Sequence, residues 1–288
     1  MKNTCLEVLN QAVEKLRSEG VDRPRTNAEL LLGAVLNVPK IELYLDRNLI
    51  LTSQQIEKYS YFIQERISGR PLQYIIGSTE FYGLEFKVNE SVLIPRPETE
   101  TLVEEMIERL KNHPSPKIID IGTGSGAIAI SLAKNLNSAY IFATDISADA
   151  LNVAKDNARM NKAEDQIEFL FGDLFEPLQN RQLEGKIDCV VSNPPYLSQE
   201  EFDHLPKDVR DYEPVVALKS GQEGISFHKR IIEGAVDFLK RDGILSLEMG
   251  LGQARQVAAF LEEFDKFKHV EIKKDLGGIE RIVIAIKT

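Results

Sequence analysis

A chain of 288 residues, 43% hydrophobic and 28% charged, can build one large domain or a medium domain beside a small one, which excludes a disordered polymer. Its formal charge of −10 and pI near 5.1 argue against tight attachment to phosphate backbones, so direct nucleic-acid binding is not expected. Two cysteines make no disulfide framework, four isolated histidines lack metal-ligand spacing, and neither a signal peptide nor a bilayer-length apolar run is present; a cytoplasmic protein without a metal or membrane partner is expected.

Along the chain, Leu6, Leu9, Val13 and Leu16 keep helical spacing up to Gly20, and Thr26 precedes a second apolar stretch, Ala28 to Leu36. Thr52 and Gln55 are spaced as a capping box for a helix through Tyr59 and Ile63 to Ile67, which Gly69-Arg70-Pro71 stops. Residues 1–72 therefore read as a small all-helical domain. The stretch 73–96 reads as a hairpin or extended linker, its apolar and aromatic residues broken by Gly77 and Gly83. Pro97 at a helix N1 position, followed by Glu98 and Glu100, opens a helix to about Asn112 and a third part, 97–288.

Beyond Pro116 strand and helix alternate: KIIDIG (117–122), AYIFATD (139–145), QIEFLFGD (166–173), KIDCVVSN (186–193) and GILSLEMG (243–250). That alternation predicts an α/β fold with a doubly wound, mostly parallel sheet. HVEIKKD (269–275) and IERIVIAIK (279–287), joined by a tight turn at Gly277-Gly278, add a C-terminal antiparallel strand.

The string Asp120-Ile121-Gly122-Thr123-Gly124-Ser125-Gly126-Ala127 follows the first of these strands and opens a helix, so backbone can approach a ligand at the carboxyl edge of the sheet. Gly122, Gly124 and Ala127 also satisfy a dinucleotide fingerprint, and Asp145 suits ribose hydroxyls with either ligand. Charge separates the two: Asp120 would repel a pyrophosphate, whereas S-adenosylmethionine brings an ammonium and a sulfonium. Asp173 is placed to accept from an adenine amino group, with Leu174 and Phe175 as apolar walls.

Asn193-Pro194-Pro195-Tyr196 ends the fourth strand on the same edge, and a given four-residue string arises by chance about once in 10⁵ positions. Methylating an amide or arylamine nitrogen requires that the planar group be held with its nitrogen facing the methyl. The Asn193 side-chain oxygen and the Pro194 carbonyl can accept the two N–H donors of an NH₂ group while Tyr196 packs on its flat face. No general base is evident in the sequence.

With these residues in hand, the chain resembles the release-factor glutamine methyltransferases, the family called HemK or PrmC. Besides the glycine string and SNPPY, QYIIGSTEFYG (73–83) and IPRPETE (94–100) carry the resemblance, which runs through most of the chain. It implies a class I methyltransferase fold that uses S-adenosylmethionine and releases S-adenosylhomocysteine. It further implies that Gly122 to Gly126, Asp145, Leu174 and Asn193 contact the cofactor, that Asn193 to Tyr196 hold the substrate glutamine, and that the partners are peptide-chain release factors, modified at their Gly-Gly-Gln motif. A ribosomal-protein glutamine is an alternative target, and a nucleic-acid adenine a more distant one.

Overall fold

The structure, a computed structural model, describes residues 3–45, 49–221 and 224–288. It divides into two compact units, residues 1–77 with 206–212, and residues 78–205 with 213–288.

The first unit is helical: α1 (Cys5–Ser18), α2 (Pro24–Leu36), α3 (Glu42–Leu45), α4 (Ser53–Ile67) and α5 (Leu72–Ile76). Reciprocal capping boxes start α1 at Thr4 and Glu7 and α4 at Thr52 and Gln55, fixing which faces turn inward. Leu9, Val13, Leu16, Leu31, Leu32, Tyr59 and Ile63 make one buried cluster. The second helix, α2, starts two residues before Thr26. That helix starts at Pro24, whose ring supplies a helical φ and whose missing N–H costs nothing in the first turn.

The stretch after residue 72 also differs from a plain hairpin or linker. It begins inside α5, which runs from Leu72 to Ile76 and is closed by Gly77 at φ 88°. The hairpin follows as β1 (Ser78–Phe81) and β2 (Leu84–Lys87), turned by Tyr82 and Gly83 at φ 51° and 70°. The next helix, α6 (Thr99–Leu110), begins two residues beyond Pro97.

The remaining elements are β3 (Lys117–Ile121), α7 (Ala127–Asn135), β4 (Tyr140–Asp145), α8 (Ala148–Met160), β5 (Ile167–Phe171), β6 (Ile187–Ser192), α9 (Gln199–Asp203), α10 (Lys207–Tyr212), α11 (Ser226–Phe238), β7 (Leu239–Glu248), α12 (Ala254–Glu263), β8 (Phe267–Lys274) and β9 (Glu280–Lys287). Among the described residues the strands β3 to β9 form a seven-stranded sheet in the order β5-β4-β3-β6-β7-β9-β8, in which β9 alone is reversed relative to the other six.

Alternation along the central strands feeds two cores. Ile119, Ile121, Val190, Leu245 and Leu247 face α11 and α12, while Ile118, Ile141, Cys189 and Val191 face α6 and α7. The winding reverses between β3 and β6, and a crevice opens at such a switch point beyond the carboxyl ends of the strands.

Candidate active site

The glycine loop after β3 is pinned at both ends. The Gly122 and Thr123 amides donate to the Thr144 carbonyl at 2.9 and 3.0 Å. Gly122 and Gly124 hold φ 70° and 56°, and a Cβ on either would stand in open space on the cleft side. Gly126 serves packing instead, since a Cβ there would lie 2.8 Å from Ile130 Cδ1 and 3.3 Å from Ala154 Cβ.

Asp145, at the end of β4, accepts the Gly124 amide at 2.8 Å through Oδ2 and the Ser147 amide at 2.9 Å through Oδ1. Burial raises its pKa while these amides oppose the shift. It lines a cleft of about 220 Å³ together with Gly122, Gly124, Asp173, Leu174 and Asn193.

Asp120, Thr123, Ser125 and Gly126 are not in the cleft wall. Asp120 lies wholly buried behind the loop, accepts the Thr123 hydroxyl at 2.7 Å, and is pushed up to about 7, chiefly by burial. The direct contact with a cationic ligand expected of it is therefore replaced by a role in shaping the turn. Ser125 is buried too, its carbonyl accepting the Asn157 amide at 2.9 Å.

Asp173 reaches the cleft, but it is ion-paired with Arg230, another lining residue, so an adenine amino group would compete with a guanidinium. Phe175 is not an apolar wall of the cleft. It stacks on Phe238 in the core with ring centres 5.2 Å apart, and Leu174, at φ 48°, takes the wall position. Exposed Ile146, directly after Asp145, is a second apolar wall that sequence reading passed over.

From the loop after β6, Asn193, Pro194 and Pro195 line the cleft, whereas Tyr196 does not. The Tyr196 carbonyl accepts Gln253 Nε2 at 2.8 Å, and burial pushes its phenol up to about 12, so it is neutral at physiological pH. Asn193 Nδ2 donates to Thr99 Oγ1 at 3.2 Å.

The cleft also has walls without a motif, at 91–93 and at Pro214, Val216 and Ala217. Between them, Arg96 pairs with buried Glu213 at 2.5 Å, and the other Glu213 oxygen accepts the Ile94 amide at 3.1 Å. Arg96 itself is absent from the lining; it ties one wall to the other.

Strand order, the single antiparallel strand and a glycine-loop cleft at the switch point define a class I methyltransferase. Residues 7–77 match the PrmC N-terminal domain and residues 99–206 the methyltransferase small domain. A release factor glutamine methyltransferase of Fusobacterium nucleatum is 39% identical, over 99% of this chain and 80% of its own. One of Chlorobaculum tepidum is also 39% identical, over 96% and 95%. The hMettl16 catalytic domain in complex with MAT2A 3'UTR hairpin 6 aligns with a TM-score of 0.57 at 19% identity, over 81% of this chain and 82% of that one, a likeness of fold alone. The chain belongs to the release factor glutamine methyltransferase family.

Proposed function

We propose that this protein transfers a methyl group from S-adenosylmethionine to the side-chain amide nitrogen (N5) of the glutamine in the Gly-Gly-Gln motif of peptide-chain release factors, in the cytoplasm. The observation that carries the reading is that one cleft holds both the glycine loop with Asp145 and the Asn193-Pro194-Pro195 segment. The cleft suits the methyl donor: open space at the missing Cβ atoms of Gly122 and Gly124 admits it against backbone. Asp145 keeps lone pairs beyond its two amide bonds for ribose hydroxyls. Ile146 and Leu174 offer apolar faces for an adenine. When bound, the donor supplies an electrophilic methyl on a sulfonium.

Asn193 Oδ1 and the Pro194 carbonyl accept the two amide protons of the target and aim its nitrogen. Neutral acceptors suffice there, because the positive charge passes from the sulfonium to the methylated nitrogen as the C–S bond breaks, and leaves with one of that nitrogen's protons. Pro195 stiffens the segment, so that little ordering remains to be done when the substrate enters. The test incubates the full chain with labelled donor and a release factor, followed by tandem mass spectrometry. One added methyl on the motif glutamine is expected, and none when that glutamine is replaced by glutamate, which lacks the NH₂ donors. Methylation of a ribosomal protein or of a nucleic acid instead would overturn the choice of partner.

A further inference from the structure

Glu248 ends β7 beside the start of the Asn193 loop, since Ser192 on β6 is in register with Leu247. It is 1% exposed and does not line the cleft. The groups that face it come from several elements: Glu98 and Thr99 at the start of α6, Asn193 and Tyr196 after β6, and Arg281 on β9. His228 of α11 meets its backbone carbonyl at 2.8 Å through Nε2. Among the described residues its Oε2 has no hydrogen-bond partner.

An ionised carboxylate only accepts hydrogen bonds, and a threonine hydroxyl has a single proton to give. The Thr99 and Asn193 side chains both hold the Glu248 pKa down as hydrogen-bond partners, and between those two Asn193 Nδ2 donates to Thr99 Oγ1 at 3.2 Å, which leaves the Thr99 proton for Glu248. The asparagine amide has two unlike ends. With Nδ2 held by Thr99, Oδ1 is the end left for an incoming N–H. Turned the other way, Asn193 would set its oxygen against a hydroxyl with no proton to spare and offer the target NH₂ a donor instead of an acceptor.

We propose that Glu248, acting directly and through Thr99, is the positioning residue that fixes the direction of the Asn193 amide, and thereby makes the site select an amide NH₂ over a carboxylate. This rests on the reading of Asn193 as the acceptor for the target amide. The device depends on charge. Burial pushes Glu248 up to about 7; Thr99 opposes this, Glu98 adds to it, and Arg281 and Asn193 oppose it. Once protonated, Glu248 can donate to Thr99, whose own proton can then turn to Asn193, and the preference for one direction is lost. The ionised form is the active one, so turnover rises as pH increases through about 7 and falls below it.

The experiment measures single-turnover methylation of a release factor by the full chain and its E248Q, T99V, T99S and N193A variants, with donor affinity by calorimetry. E248Q and T99V are expected to lose turnover on the order of 10²-fold with donor affinity changed less than about twofold, while T99S, which keeps the hydroxyl, stays near wild type. E248Q should also lack the wild-type rise near neutral pH. A release factor carrying glutamate in place of the motif glutamine should compete better against E248Q than against wild type. If N193A abolishes transfer while E248Q and T99V keep wild-type turnover and pH profile, the positioning role fails and the reading of the loop stands. If N193A itself turns over normally, the reading of the loop fails and this inference with it.

Discussion

A carboxylate at the end of a strand means different things according to what its oxygens already hold. Asp145 spends one bond per oxygen on the Gly124 and Ser147 amides and still faces the cleft. Charge-assisted bonds to two hydroxyls are worth about 1.5 to 3 kcal/mol. Asp145→Ala should therefore raise the dissociation constant for S-adenosylmethionine roughly 10- to 100-fold by calorimetry, and an unchanged affinity would remove it from the cofactor site. The same strand-end reasoning picked out Asp120 and Asp173 from sequence, but sequence does not say which way an end residue turns. Asp120 turns under the loop to Thr123, and Asp173 is shared with Arg230, 57 residues away. Glu248, equally a strand-end carboxylate in GILSLEMG, was readable by that logic, yet only the sheet order brings it next to Asn193.

Among the elements, those with a repeating signal were legible to within a few residues: each motif strand of the sheet, the capped helix α4 and the terminal antiparallel strand. What sequence blurred were starts set by one proline, as at Pro24, and short pieces such as α5, too brief to show a period. Ties between elements distant in the chain carried no signal at all. Asn157, fully buried on α8, is the clearest: its Oδ1 accepts the Lys87 amide at 2.7 Å, and its Nδ2 donates to the Lys87 carbonyl at 3.0 Å and to the Ser125 carbonyl at 2.9 Å. One helix residue thus fastens the hairpin strand β2 and the glycine loop together. Asn157→Ala would strand three backbone groups and should cost about 2 to 4 kcal/mol, read as a lowered urea midpoint at unchanged slope. Because the loop loses an anchor, donor affinity should weaken as well. A variant with the wild-type midpoint would mean that solvent replaces these bonds freely.

At the scale of the whole molecule, the covalent path matters more than the count of units. After the Asn193 loop the chain leaves the second unit for residues 206–212, which cluster with the helical unit, and returns at Glu213 to build the cleft wall at Pro214, Val216 and Ala217. Within the helical unit that excursion is held by Arg66 to Asp208 at 3.5 Å and by the Tyr212 hydroxyl on the Ser68 carbonyl at 3.3 Å. The helical unit also leaves Ile41, Leu45 and Ile50 more than half exposed. A chain beginning at Ser78 keeps every residue that lines the cleft but takes from α10 the partners that hold it. Donor affinity should then stay within about threefold of the full chain, because the glycine loop and Asp145 are untouched. If the helical unit docks the partner, methylation of an intact release factor should fall on the order of 10²-fold, and the anchor of the segment between Asn193 and the cleft wall is lost as well. A short Gly-Gly-Gln peptide, which needs no docking surface, should lose much less, and that difference separates lost docking from a damaged cleft. Calorimetry with the donor and mass spectrometry of both substrates read these outcomes, and equal rates on the intact release factor for truncated and full chains would remove the helical unit from substrate recognition.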